Sequence, residues 1–184
     1  VPFRDGEGFR INDDLRTDVK KYHGSFVPEA SFGFGKNLQS VDIEATMNYQ
    51  SFALISRYDH YFFDEPNNKY RHFSAMIERR SMTFKGLDFG WQIGYLSTFV
   101  YDTTYNSFAL GMQASYAFDA PILFKFKTLN GFHNGHTISI IDFGLHYFVN
   151  ESGYGLSYRH YDNAGFSYSS VRLAITYYLP FDEF

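Results

Sequence analysis

Apolar and polar residues alternate with a period of two along most of this chain. In the segment Thr137–Val149, one set of alternate positions is apolar: Ile141, Phe143, Leu145, Tyr147 and Val149. The positions between them are mixed and include Asp142, Gly144 and His146. Because successive side chains of a β-strand point to opposite faces, this alternation predicts strands with one apolar face and one mixed face.

Ten segments have this character, and we predict a strand in each of them: 29–37, 40–49, 51–63, 70–84, 88–101, 107–118, 121–129, 136–149, 153–161 and 169–180. The second segment alternates most regularly, with Val41, Ile43 and Ala45 on one face and Asp42 and Glu44 on the other. Such a run, bounded by turn residues, is typical of a strand whose two faces meet different surroundings.

The opening segment leaves the number of strands undecided. Pro28 has no amide hydrogen to donate to a β-ladder, and glycines such as Gly33 and Gly35 weaken a strand. An eight-stranded barrel that begins near Gln50 therefore stands as an alternative to a ten-stranded barrel.

The placement of loops and aromatic residues predicts a membrane barrel. Tight connections alternate with longer polar ones at 35–39, 64–69, 102–106, 130–136 and 161–168. Outer-membrane barrels have this asymmetry, with short periplasmic turns and longer extracellular loops. Aromatic residues are expected in a girdle at each end of the barrel, with Trp91, Phe118, Tyr147 and Tyr177 near the inner ends and Tyr61, Phe63, Tyr101 and Tyr158 near the outer ends.

We therefore predict an all-β fold, an antiparallel up-and-down transmembrane β-barrel of eight to ten strands in a bacterial outer membrane. The barrel is assigned to residues 25–184, and residues 1–24 form a short periplasmic extension with helical spacing of its apolar residues. So narrow a barrel must fill its lumen with side chains. The charged residues predicted to pair inside it are Asp42, Glu44, Arg57, Asp59, Arg159 and Arg172.

Composition narrows the alternatives. The mean hydropathy is −0.31 and no apolar run approaches the roughly 18 residues of a membrane helix, so a helical membrane protein is excluded. The absence of cysteine excludes disulfides, thiolate-bound zinc and a cysteine nucleophile. A net charge of −4 without a basic run argues against nucleic-acid binding. One rival fold survives, a soluble lipid-binding barrel in which Ile141, Phe143 and Leu145 line an interior cavity.

One stretch near the C-terminus carries possible chemistry. The sequence Arg159-His160-Tyr161-Asp162-Asn163-Ala164-Gly165, followed by a last strand that ends in aromatic residues, resembles the lipid A 3-O-deacylase (PagL-like) family over the final hairpin. In that family, a His, a Ser two residues later and an Asn-Ala pair lie on the lipid side at the outer end of the penultimate strand. Here His160 and Asn163-Ala164 match, whereas Asp162 occupies the position of the Ser.

The resemblance implies an ester hydrolase that acts on outer-membrane lipid or lipopolysaccharide without a cofactor. An ester hydrolase needs a nucleophile, a base in contact with it and a group that orients the base. We assign these catalytic roles to Ser169, His160 and Asp162, and we name Ser167 as the second candidate nucleophile. Asn163 and Tyr158 are the candidate binding residues. Ser169 shares the outward parity of Val171, Leu173 and Ile175, which would place it opposite His160 on the paired strand.

Two further interpretations stay open. The hairpin is also consistent with a non-enzymatic outer-membrane barrel that has a structural role or binds a protein partner, because Asp162-Asn163-Ala164-Gly165 is favourable turn sequence. Histidine pairs, His60 with His72 and His133 with His136, suggest possible metal ligands but have the spacing of no known metal site. Solvated loop residues explain them equally well.

Overall fold

The computed structural model describes residues 24–49, 51–63, 69–84, 87–100, 103–118, 121–134, 136–163 and 166–181. Every regular element in this part is a β-strand, in the following order: β1 Gly24–Gly35, β2 Leu38–Tyr49, β3 Phe52–Phe63, β4 Lys69–Phe84, β5 Leu87–Val100, β6 Thr103–Ala117, β7 Ile122–His133, β8 His136–Val149, β9 Ser152–Asn163, β10 Phe166–Tyr177 and β11 Leu179–Phe181. The predicted N-terminal helix lies outside the described residues.

The strands form one closed antiparallel barrel. Each strand from β1 to β10 pairs with the next along the chain, and β1 also pairs with β10, which closes the sheet. The short β11 continues the line of β10 and pairs with the first residues of β1 in the same register. The ladder between these two parts is interrupted at Val27 and Pro28, and proline has no amide hydrogen to contribute. The barrel therefore has ten strand positions, the tenth shared by β10 and β11, which excludes the eight-stranded alternative.

The two faces of the strands follow the predicted parity. Apolar side chains cover the outside, where Trp91, Leu173 and Ile175 are 62, 58 and 63% exposed. Ile141, Phe143 and Leu145 share the outward parity of β8, and Phe143 and Leu145 are exposed. The soluble-barrel alternative required these three residues to line a cavity, and it is wrong. A polar interior with an apolar exterior is the arrangement of a barrel in lipid.

All six charged residues predicted for the lumen are buried there. Arg57, Arg159 and Arg172 interleave with Asp42, Asp59 and Asp142 in a neutral network, which we call the luminal charge network. The Arg172 Nη1 donates to Asp142 Oδ2 at 2.6 Å and Arg159 Nη1 donates to Asp59 Oδ1 at 2.8 Å. Toward the chain termini, Lys127 pairs with Glu44 and Lys125 pairs with Glu29. Each of these buried charges thus has a partner of opposite sign, as burial requires.

Aromatic side chains close the lumen at the rim away from the termini, which we call the far rim. They form a luminal tyrosine cluster of Tyr61, Tyr70, Tyr161 and Tyr168, whose ring centroids lie 4.8 to 5.9 Å apart. Tyr61 and Tyr161 are almost completely buried, and the hydroxyls of Tyr70 and Tyr161 are hydrogen-bonded to each other. The lumen is therefore filled by side chains rather than open.

The predicted aromatic girdles are half correct. Trp91, Phe118, Tyr147 and Tyr177 all face outward near the terminal end. At the far rim, Tyr158 has the predicted outward parity, and Tyr101 lies outside the described residues. Tyr61, however, is buried in the lumen and Phe63 packs against the interior cluster, because the parity of these two residues directs them inward. The outward aromatic residues at this rim include Phe34, Phe62, Tyr105 and Phe132.

The predicted long external loops are shorter than expected. Only two residues separate β1 from β2, β5 from β6, β7 from β8 and β9 from β10, and the connection from β3 to β4 has five. Polar segments such as 103–106 and 130–133 continue as strands, because backbone pairing does not require apolar side chains once the chain leaves the hydrocarbon. The expected asymmetry between the two rims is wrong.

The outward face of β10 gives a test of membrane insertion. Replacing Leu173 with Arg puts a charge near the middle of the bilayer, where it costs about 2–4 kcal/mol on the lipid face of a barrel. The matched change at Ser167, on the same face near the rim, should cost about 0–1 kcal/mol. Folding into vesicles, measured by heat-modifiable electrophoretic mobility, should fall for Leu173→Arg only. Equal folding of both variants would contradict the membrane assignment.

The luminal charge network gives a second test. Arg172→Ala leaves Asp42 without its main partner and removes one of the two arginines that donate to Asp142, so we expect a loss of about 3–5 kcal/mol in the free energy of unfolding. Arg79→Ala removes an exposed, outward-facing arginine of β4 and should change stability by about 0.5 kcal/mol or less. Urea unfolding in lipid vesicles measures both. A loss of less than 1 kcal/mol in Arg172→Ala would show that the network contributes little.

The filled lumen predicts that the protein does not conduct ions. In a planar lipid bilayer, the wild-type chain should show no stable conductance steps, because the luminal charge network and the tyrosine cluster block the axis. An absence of conductance steps supports this prediction only when protease protection shows that the same preparation has inserted into the bilayer. Regular unitary steps from inserted protein would show that water and ions pass the plug.

Candidate active site on the outer wall

The hairpin β9–β10 brings two predicted catalytic residues together. Residues 164–165 connect the strands, and in the resulting register His160 is directly opposite Ser169, while Asp162 is opposite Ser167. His160, Asp162, Ser167 and Ser169 all have outward parity, so they belong to the lipid-facing wall near the far rim. Both His160 and Ser169 are half-buried.

Hydrogen bonds join Tyr158, Ser169 and His160 in a chain. The hydroxyl of Tyr158 donates to Ser169 Oγ at 2.8 Å, and Ser169 Oγ lies 3.0 Å from His160 Nδ1. In the tautomer whose Nδ1 carries no proton, Ser169 Oγ accepts from Tyr158 and donates its own proton to His160 Nδ1. This is the polarity in which a histidine removes the proton of a serine.

The polarity of the outer wall changes at the level of this pair. On the outer wall, cross-strand partners on β7 to β10 form rows. From the far rim toward the middle of the strands, the rows contain Asn130, Ser139, Asp162 and Ser167; then Ile141, His160 and Ser169; then Phe143, Tyr158 and Val171; and then Leu145, Leu156 and Leu173. The first row is entirely polar and the fourth is entirely apolar. The Ser169–His160 pair thus lies at the boundary between them.

The depth of the pair corresponds to the membrane interface. His160 precedes the end of β9 by three positions, which is roughly 10 Å along a strand. Since strands are tilted and the interfacial zone on each side of the hydrocarbon is several ångströms thick, this depth lies close to the junction of headgroups and acyl chains. An ionisable side chain there costs less than at mid-bilayer.

The other predicted site residues do not complete a triad. Asp162 is exposed on the same face as His160, but no hydrogen bond joins the two side chains. Asn163, named as a binding residue, has inward parity, and its Nδ2 donates to the Tyr70 hydroxyl in the luminal tyrosine cluster at 3.3 Å. Tyr158, the second predicted binding residue, contacts Ser169 directly.

The histidine pairs do not form metal sites. His60 faces outward and stacks on Phe62, whereas His72 faces the lumen and lies 2.9 Å from Thr98 Oγ1. His133 and His136 are cross-strand partners, but His133 Nδ1 is bonded to a backbone carbonyl and Nε2 to Asn134. Within the described ranges, no group of three His, Cys, Asp or Glu side chains could hold a metal ion.

The sequence interpretation missed one residue next to the pair. Gly35 is paired with Ser170, so the following residue, Lys36, lies beside Ser169 at the far rim. The approach is close: a Cβ on Gly35 would lie 2.3 Å from the carbonyl oxygen of Ser169. Asn37, with φ of 58°, completes the two-residue turn into β2. No local pattern identifies Lys36, because its position depends on the closure between β1 and β10.

Comparison with known proteins supports the fold. No protein-family model matches the chain, and no curated protein matches it. Among solved structures, the NanC porin aligns at a TM-score of 0.55 with 11% identity, over 83% of this chain and 98% of that one. The KdgM porin aligns at 0.48 with 10% identity over 82 and 98%, and the N-terminal barrel of Pseudomonas aeruginosa OprF at 0.43 with 11% identity over 84 and 97%.

The chain has the fold of an outer-membrane β-barrel. The likeness to NanC is at the level of fold, and the apolar outer wall with a polar lumen independently defines a barrel that spans a membrane. Over the described residues, there is no helix long and apolar enough to cross a bilayer. The class is therefore a small barrel of the bacterial outer membrane.

Proposed function

We propose that this barrel hydrolyses an acyl ester of an outer-leaflet lipid, in the manner expected of a lipid A deacylase. The observation that carries the proposal is the contact between Ser169 Oγ and His160 Nδ1 on the lipid-facing wall. A serine nucleophile and its base occupy the level of the headgroup–acyl junction, which is where the ester bonds of membrane lipids lie. The substrate reaches them by lateral diffusion, and the filled lumen is not used.

The proposed reaction has two steps. Ser169 Oγ attacks the ester carbonyl carbon while its proton passes to His160 Nδ1, and the alkoxide then leaves with that proton. The acyl group remains on Ser169 until water, deprotonated by His160, attacks the same carbon and releases the fatty acid. Tyr158, whose hydroxyl already donates to Oγ, is the donor available for the developing oxyanion.

The absence of a contact between Asp162 and His160 determines the rate of ester hydrolysis that we expect. In serine hydrolases a carboxylate holds the imidazole in the productive tautomer, and losing it reduces kcat about 10⁴-fold. Here Asp162 makes no hydrogen bond with the histidine, and Ser169 is its hydrogen-bond partner among the residues that the structure describes. We therefore expect slow turnover, suited to occasional modification of the membrane rather than to bulk lipid degradation.

One observation favours a second function. Because the carboxylate of Asp162 makes no hydrogen bond with His160, the site is also consistent with a non-enzymatic barrel that binds a lipid at the outer wall without cleaving it. In that case, the pair around Ser169 would be a hydrogen-bonding site for a lipid carbonyl. Both functions use the same site around Ser169, and they differ in whether the bound lipid is hydrolysed.

Two substitutions separate them. Ser169→Ala and His160→Ala should each lower fatty-acid release by about 100-fold, because losing the nucleophile or the base of a full triad costs about 10⁶-fold and the absent carboxylate contact already accounts for about 10⁴ of it. Release is measured by mass spectrometry after reconstitution of the protein with lipid A or with phospholipid. Ser56→Ala, at an exposed serine on the outward face of β3 and away from the hairpin, is the control and should retain activity.

Heat-modifiable mobility must show that all three variants are folded. Folded wild-type protein that releases no fatty acid from either lipid would remove the hydrolase proposal. Turnover that survives both Ser169→Ala and His160→Ala would place the chemistry elsewhere.

A further inference from the structure

The Ser169–His160 pair is flanked by two opposite charges. On one side, Asp162 follows His160 by two residues on the same face of β9 and is exposed to the lipid side of the rim. On the other side, Lys36 in the turn between β1 and β2 is exposed beside Ser169. In the far half of the outer wall from β7 round to β1, these two are the charged side chains among the described residues.

The two charges lie on strands that are not neighbours and do not pair with each other. Asp162 is on β9 and Lys36 follows β1, so two interstrand spacings, about 10 Å, separate their backbones. No ion pair between them is present in the described part of the chain, and neither makes one with another described residue. Interfacial charges attract lipid headgroup charges of opposite sign, and the low polarity beneath the rim strengthens that attraction.

We propose that Lys36 and Asp162 bind a zwitterionic headgroup, with a phosphate at Lys36 and an amine at Asp162. This inference rests on the proposed function, because it names the substrate class of that site. A phosphate and an amine joined by a short carbon linker match the order of charges across β9, β10 and the β1 turn. The acyl ester, which is attached on the side of the phosphate away from the amine, would then lie below the headgroup at the level of Ser169, and the acyl chain would run down the apolar rows that contain Leu156 and Leu173.

The polar row at the rim agrees with this assignment. Asn130, Ser139 and Ser167 supply neutral donors and acceptors in line with Asp162, and Ser139 Oγ already donates to Asn130 Oδ1 at 3.0 Å. A headgroup with only negative charge would be repelled by Asp162, and one with only positive charge by Lys36. Lys36 and Asp162 together therefore disfavour headgroups whose charge is of one sign, whether negative or positive.

Two sources provide this headgroup chemistry. One is phosphatidylethanolamine, and the other is lipid A whose phosphate carries an amine substituent. Retention of each lipid by the refolded full-length chain carrying Ser169→Ala is measured by native mass spectrometry, so that binding is read without turnover. Phosphatidylglycerol with the same acyl chains and unsubstituted lipid A are the anionic controls.

We expect at least one amine-bearing lipid to be retained more strongly than its anionic counterpart. Adding Lys36→Gln or Asp162→Asn should weaken that retention about fivefold each, the loss for one interfacial charge contact. Arg71→Gln is the matched control, because Arg71 is an outward-facing cation near the far rim on β4, on the other side of the barrel, where it packs over Phe99. It should leave retention unchanged.

The outcomes distinguish this inference from the proposed function. Equal retention of zwitterionic and anionic lipids, or no effect of Lys36→Gln and Asp162→Asn, overturns the headgroup site even where the wild type hydrolyses lipid. Selective retention that depends on both residues, when the wild-type protein releases no fatty acid, keeps the site and removes the hydrolase. Retention limited to the amine-substituted lipid A identifies that lipid as the source, and retention limited to phosphatidylethanolamine identifies the phospholipid.

Discussion

The pairing of β1 with β10 is the contact on which the rest of the structure depends. In hydrocarbon, no water is present to satisfy backbone amide and carbonyl groups, so a sheet that spans a membrane must close on itself. Closure fixes which parity of each strand faces lipid and which faces the lumen. It also brings the turn after β1 against β10, and thereby places Lys36 beside Ser169.

Charge pairing inside the barrel complements closure. Three arginines and three aspartates from β2, β3, β8, β9 and β10 form one neutral network, so a bond such as that between Arg172 and Asp42 joins strands far apart in sequence. A buried ion pair is a poor source of net stability, but removing one partner leaves a charge that is expensive to bury. The network therefore favours the ten-stranded arrangement, in which these charges are paired, over strand pairings that would leave a charge buried without its partner. The same side chains fill the lumen, and for this reason the function we propose uses the outer wall.

The sequence predicted most of the fold because period-two alternation is a local signal. It identified ten strands, the lipid-facing parity of β8 and the luminal charges, and the parity of Ser169 was enough to place it opposite His160 once the hairpin was assumed. Tyr61 and Phe63 were misplaced because their position along the strand was considered without their parity. The strand ends at 103–106 and 130–133 were taken for loops because polar composition was equated with the absence of backbone pairing.

The parts of the candidate site that could not be predicted are those that depend on distant pairing. Lys36 is separated from Ser169 by more than a hundred residues, and only the register of β1 against β10 relates them. The lack of contact between Asp162 and His160 likewise depends on side-chain geometry, since their spacing on the strand is compatible with either outcome.

The interruption at Val27 and Pro28 has a consequence for the order of assembly. Every neighbouring pair of strand positions except one is joined by a short hairpin, and contacts close in sequence form before distant ones. The seam between β1 and β10 is thus the last to close, and it does so with a gap in its own ladder. Until that moment Lys36 is remote from Ser169, so a barrel that has entered the bilayer but has not closed lacks one side of the site. Closure therefore adds the charge that flanks Ser169 on the β1 side, whereas the Ser169–His160 contact is contained in the β9–β10 hairpin and forms independently of the seam.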